Sequence, residues 1–129
     1  TGSVDSVMAG LACGETSPLA WRFLETSVDH FTTIEDEEAI DAMRVLARGS
    51  ERDIPIVAGE SGVAGLAALQ RLRGDAALSA QTGLDAQARV LIVNTEGATA
   101  PGVFRQLVGT PADEILQRQR QFSRKNHVR

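Results

Sequence analysis

"RVLIVNTEG", residues 89–97, is the stretch on which the reading of the fold turns. Val90, Leu91, Ile92 and Val93 form an unbroken apolar run that is short and aliphatic. Such a run marks a strand buried on both faces, as in a parallel sheet. It ends in Asn94, a hydroxyl (Thr95), a carboxylate (Glu96) and Gly97. A hydroxyl and a carboxylate closing an apolar strand either orient a polar ring or tie up a turn. Two other runs share its character: "IPIVAG" (54–59), which also ends in glycine, and "HFTTI" (30–34), which is rich in β-branched residues.

Helical signals fill the intervals. Ser17 stands as an N-cap before Pro18, and Leu19, Trp21 and Phe23 are the expected inward groups. Residues 35–49 combine an acidic first turn, Ala39, Ile40, Met43 and Leu46 at helical spacing, and Gly49 as the stop. A helix is predicted over 61–74, and residues 75–82 extend or restart it before Gly83. Residues 102–109 and 111–122 are predicted as closing helices, the second with Pro111 as its first residue. The last seven residues, 123–129, are polar and basic and are predicted to fray. Strand–helix alternation predicts an α/β fold, one segment over 1–129 with a parallel sheet and helical crossovers. In such sheets ligands sit beyond the carboxyl ends of the strands. "AGESG" (58–62) and "NTEG" (94–97) therefore belong on one rim.

Composition narrows the function classes. The 129 residues carry a formal net charge of −4, which disfavours wholesale attraction to nucleic acid or anionic membrane. The arginines and Lys125 near the C-terminus read as a solvated helix face. No apolar stretch approaches the roughly 20 residues that span a bilayer. One cysteine, Cys13, excludes an internal disulfide and points to a reducing, cytoplasmic setting. The chain does not begin with methionine, which suggests a processed product or a piece of something longer.

Few residues offer chemistry unaided. A Cys13 nucleophile would need a histidine base, and neither His30 nor His127 sits in a dyad pattern. Cys13 is expected as a small buried core residue. Two distant histidines and one cysteine give no metal-ligand spacing. Gly59, Gly62 and Gly65 allow a tight strand-to-helix turn, which either packs closely or offers helix N–H groups to an anion. Thr95 and Glu96 either cap a strand or address a heterocycle.

Taken together, "GESGVAGLAAL", "VLIVNTEGAT" and the upstream "DHFTTIEDEEAIDAMRVLA" resemble the C-terminal part of fold-type II pyridoxal-phosphate enzymes, the threonine dehydratase and serine racemase group. With "SVMAGLACGE", "AGESG" and "NTEG" in this order, the chain is most similar to the diaminopropionate ammonia-lyase family, over about residues 6–105. The resemblance implies a tryptophan synthase β-like fold, pyridoxal 5'-phosphate as cofactor, and elimination of ammonia from 2,3-diaminopropionate to give pyruvate and a second ammonia. It implies a small amino-acid substrate and a homodimeric parent, with self-association of this segment through its uncovered face. It places the Schiff-base lysine and the phosphate loop upstream, so the segment alone is expected to be inactive and carries no catalytic residue. Lys125, the sole lysine, is not nominated.

Thr95 matches the serine or threonine that contacts the pyridine nitrogen in this group. Glu96 replaces a glycine and is the other candidate for that partner. Gly59 stands where many relatives have glutamate, and Glu60 where they have proline; both are placed at the cofactor's edge. Another fold-type II dehydratase or racemase, and a non-catalytic α/β interaction module, remain as alternatives.

Overall fold

The computed structural model describes residues 5–126. Among them lie one short 3-10 turn (Ala9–Leu11) and six helices: α1 (Pro18–Ser27), α2 (Asp36–Arg48), α3 (Ala64–Gly74), α4 (Ala76–Thr82), α5 (Pro101–Val108) and α6 (Ala112–Asn126).

The core forms where α2 meets α3 and α5, with α6 closing the far side. Helix α2 is built for this position. Glu35 and Glu38 make a reciprocal capping box, with the Glu35 N–H donating to Glu38 Oε2 at 2.7 Å. Ala39, Ile40, Ala42, Met43 and Ala47 form its buried stripe, as their helical spacing predicts. Gly49 ends it at φ 62°, a positive angle that glycine adopts without a Cβ penalty. Phe104, Met43, Ile115 and Val63 are the largest fully buried side chains. Each comes from a different segment, so this cluster ties the helices together.

Glu38 also joins α2 to α3, accepting from Arg71 at 2.9 Å. The Glu35 backbone N–H, and then Arg71, hold its carboxyl below the ordinary value of 4.5. A depressed folded value means stability gained above the ordinary carboxylate range and lost as pH falls through the lower, folded value. Arg71→Gln is therefore expected to raise the Glu38 pKa only part of the way, because the Glu35 bond remains. Carboxyl-carbon NMR titration of the two proteins checks this; an unchanged pKa would remove Arg71 as a cause.

The sheet is where expectation and structure part. No residue among those described is in a strand: 30–34, 54–59 and 89–94 are extended or irregular, without ladders. Residues 54–59 and 89–97 nevertheless lie side by side. The Asn94 side-chain amide donates to the Val57 carbonyl at 3.3 Å, and the Gly59 N–H donates to the Glu96 carbonyl at 2.9 Å. These contacts advance together along both stretches, so the two run in the same direction. A parallel ladder requires a run of evenly spaced backbone bonds, and one such bond does not make it. Nor is 89–94 buried as expected: Leu91 is 89% exposed and Val93 68%, because only the face with half-buried Ile92 is covered.

Helix α1 departs in the same sense. Ser17 caps it through its hydroxyl, and Pro18 opens it as predicted. Its expected inward groups Leu19, Trp21 and Phe23 are exposed, since no described segment packs over them; the Trp21 ring lies 6.0 Å from that of Phe31, which is also exposed. Cys13, expected in the core, is also exposed. It lines a cleft with Met8, Leu11, Ile34 and Ala64, in a stretch outside any helix where no described segment covers it. At the C-terminal end, α6 starts one residue after Pro111 and continues past Phe122 to Asn126. The predicted frayed tail is thus helical over 123–126, while 127–129 lie outside the described residues.

Candidate functional site

The turn after residues 54–59 and the end of residues 89–97 form a single corner at the N-terminal end of α3. Residues 58–63 are all buried, and all but Glu60 and Val63 have small side chains. The chain turns at Glu60–Val63 and enters α3, with the Val63 N–H bonded to the Gly59 carbonyl at 3.2 Å. The Ser61 hydroxyl accepts from the Gly10 N–H at 2.9 Å, which draws in the N-terminal stretch. That stretch is held a second time by Asp36, whose carboxylate accepts from the Ser6 hydroxyl at 2.7 Å and the Val7 N–H at 3.1 Å.

Glu96 clasps the corner. Its Oε2 accepts from the Ser61 N–H at 2.9 Å, its Oε1 from the Thr99 hydroxyl at 3.3 Å, and its carbonyl from the Gly59 N–H at 2.9 Å. A carboxylate with backbone and hydroxyl donors satisfies a buried N–H that would otherwise lack a partner. The clasp demands glycine on the opposite wall. A Cβ on Gly62 would strike the Asn94 amide oxygen and stand 2.8 Å from the Glu96 carbonyl. Gly65 meets Ile92 at 2.9 Å in the same way, so α3 lies directly on the extended stretch.

Of the four residues singled out from the sequence, the structure brings Gly59, Glu60 and Glu96 together at this corner, with Thr95 adjacent in the chain. Gly59 and Glu60 are buried, Glu96 is half-buried, and Thr95 is exposed. The Thr95 hydroxyl and the Glu60 carboxylate have no hydrogen-bond partner among the described residues, whereas both Glu96 oxygens are engaged. Sequence reasoning missed Ser61 and Asn94, which bind the two stretches to each other through a backbone N–H and a side-chain amide. The signal was available: both are short polar residues inside motifs already marked, where side-chain-to-backbone bonds are favoured.

A family model described as pyridoxal-phosphate dependent enzyme matches residues 1–96. Diaminopropionate ammonia-lyase of Salmonella typhimurium is 35% identical over 112 residues, 84% of this chain and 28% of that protein. The enzyme of the same name from Escherichia coli is 36% identical over 110 residues, covering 83% and 28%. Among solved structures, the Escherichia coli enzyme in complex with an aminoacrylate–PLP azomethine reaction intermediate superposes with a TM-score of 0.74 at 37% identity. That match covers 80% of this chain and 28% of the other. The chain thus spans a little over a quarter of the length of the relatives it matches.

Proposed function

Because this chain belongs to the pyridoxal-phosphate dependent enzymes, we propose that it forms one wall of the cofactor site in a cytoplasmic diaminopropionate ammonia-lyase. The whole protein would release pyruvate and ammonia from 2,3-diaminopropionate. The observation that carries this reading is the clasped corner, which leaves Thr95 free at its edge, in a chain about 36% identical to enzymes of that name.

The corner suits a heteroaromatic ring. Glycine at 59 and 62 keeps side chains out of its wall, and Glu96 fixes its shape. Bound there, pyridoxal phosphate would supply the electron sink that loosens the α-proton and lets the β-amino group depart. Thr95 would hold the ring nitrogen, since its hydroxyl is exposed and uncommitted while the Glu96 carboxylate is spent on Ser61 and Thr99. As a neutral donor, the Thr95 hydroxyl would leave that nitrogen unprotonated. Gly59 would offer backbone at the cofactor's edge and Glu60 its unpartnered carboxylate. The lysine such chemistry needs is not at this corner, because Lys125 lies in the last turn of α6. The 129-residue chain by itself would therefore be inactive.

Three further parts of the reading belong with it. Residues 54–59 and 89–94 would become neighbouring strands of a parallel sheet once a third stretch covers Leu91 and Val93; their common direction supports this. The whole protein would be a homodimer. The chain alone would self-associate through exposed Leu19, Phe23, Phe31 and Leu91; sedimentation giving only monomer at high concentration would count against that.

The test uses the whole protein. Pyruvate is expected from 2,3-diaminopropionate and not from threonine; the reverse would favour a threonine dehydratase-type enzyme. Thr95→Ala is expected to lower turnover by about tenfold, the worth of one good hydrogen bond, while Thr95→Ser retains it. Equal activity of the two variants would remove Thr95 from the site.

A further inference from the structure

We propose that the cleft between the C-terminal end of α2 and the α5–α6 corner binds a small phosphate-class oxyanion. Arg44, Arg48 and Arg118 line it together with Ala47, Val108 and Thr110, around a volume of about 300 Å³. No carboxylate is among these residues. The nearest acid tied to them is Asp41, which pairs with Arg44 at 3.1 Å while both side chains stay largely exposed.

Two of the guanidiniums are held in place by the fold. Arg44 Nε donates to the Leu107 carbonyl and a terminal nitrogen of Arg118 to the Ala47 carbonyl, each at 2.9 Å. The first answers the partial negative charge at the end of α5 and the second that at the end of α2. What they leave over defines the site. Arg118 Nε is buried with no hydrogen-bond partner, and Arg48 has no ion pair among the described residues. A buried guanidinium N–H without an acceptor is costly, and three cations around one cleft repel each other. A tetrahedral oxyanion in the cleft answers the repulsion, because its oxygens accept from the guanidinium N–H groups that remain free. The Thr110 hydroxyl, which has no partner among the described residues, supplies a neutral donor at the same cleft. The cleft admits phosphate itself or phosphate bearing a small organic group.

Calorimetric titration of the full chain at low ionic strength tests this, with inorganic phosphate and glycerol 3-phosphate as separate probes and chloride as the control. Saturable one-site binding of at least one probe is expected, and the tighter of the two identifies the source as free phosphate or a phosphomonoester. Arg48→Gln is expected to weaken it by about tenfold through loss of a charge-assisted bond. Arg118→Lys keeps the charge but loses the fork, and is expected to weaken binding too; Arg22→Gln, on α1, is not. Absence of saturable binding, or Arg48→Gln binding like the parent chain, overturns the proposal. If Arg118→Lys does not fold, Arg48→Gln still decides, since its side chain is exposed. The cleft shares no residue with the clasped corner, so failure here leaves the cofactor reading untouched.

Discussion

Phe104→Ala is expected to lower the unfolding free energy by about 3–5 kcal/mol, the range for emptying a buried aromatic site. Phe104 is 1% exposed and is the largest fully buried side chain, in a cluster with Met43, Val63 and Ile115. It is also the sole buried residue of α5, so its ring anchors that helix to the core. Without it, α5 keeps its cap at Gly109 but little to hold it against α2. A domain of this size has about 5–15 kcal/mol to lose, so a loss of that order removes between roughly a fifth and all of its stability. Its neighbour Val103, 47% exposed, is the control, and its alanine variant is expected within about 0.5 kcal/mol of the parent. Urea unfolding followed by circular dichroism measures both. Equal stability of the two variants would mean that the core does not depend on α5.

Gly59→Ala acts on the clasp. The new methyl group would collide with the Gly97 carbonyl and lie 2.8 Å from Glu96 Cγ. A carbonyl cannot rotate aside as a side chain can, so one stretch must move off the other. Overpacking of this kind costs about 1–3 kcal/mol. The displacement also pulls the Gly59 N–H from the Glu96 carbonyl and the Ser61 N–H from the Glu96 carboxylate. The expected result is a stability loss in that range, with large amide shift changes at Ser61 and Glu96. Gly97→Ala, on the opposite side of the contact, places its methyl in open space and is expected to be nearly neutral. Were the two glycine variants indistinguishable, the close approach of the stretches would be disproved.

The helices were legible because their signals are local. Glu35 and Glu38 spell a capping box, the apolar residues of α2 recur at helical spacing, and Pro18, Gly49 and Gly109 punctuate at the ends. Juxtaposition of "AGESG" with "NTEG" was legible from the rule for α/β sheet edges and from the family resemblance. Burial was less so. Leu91 and Val93 on one side, and Leu19 and Phe23 on the other, read as core residues, yet stand exposed because no described segment covers them. Cys13 failed for the same reason. Apolar character states what a residue would gain by being covered, not whether a neighbour is there to cover it.

By itself the sequence determined the six helices, the cap of α1, the stops of α2 and α5, the family, and the two motifs that make the corner. Those properties are written in short-range chemistry: caps, periodicity, and small residues at turns. Only the tertiary structure decided that Glu96 is the clasp and Thr95 the free hydroxyl, since neighbours in the chain point to different partners. It alone brought Arg48 and Arg118 to one cleft across residues far apart in the sequence. Hydrogen bonds are satisfied, and charges gathered, by whatever the fold sets within about 3 Å, and that distance is not encoded in any one stretch.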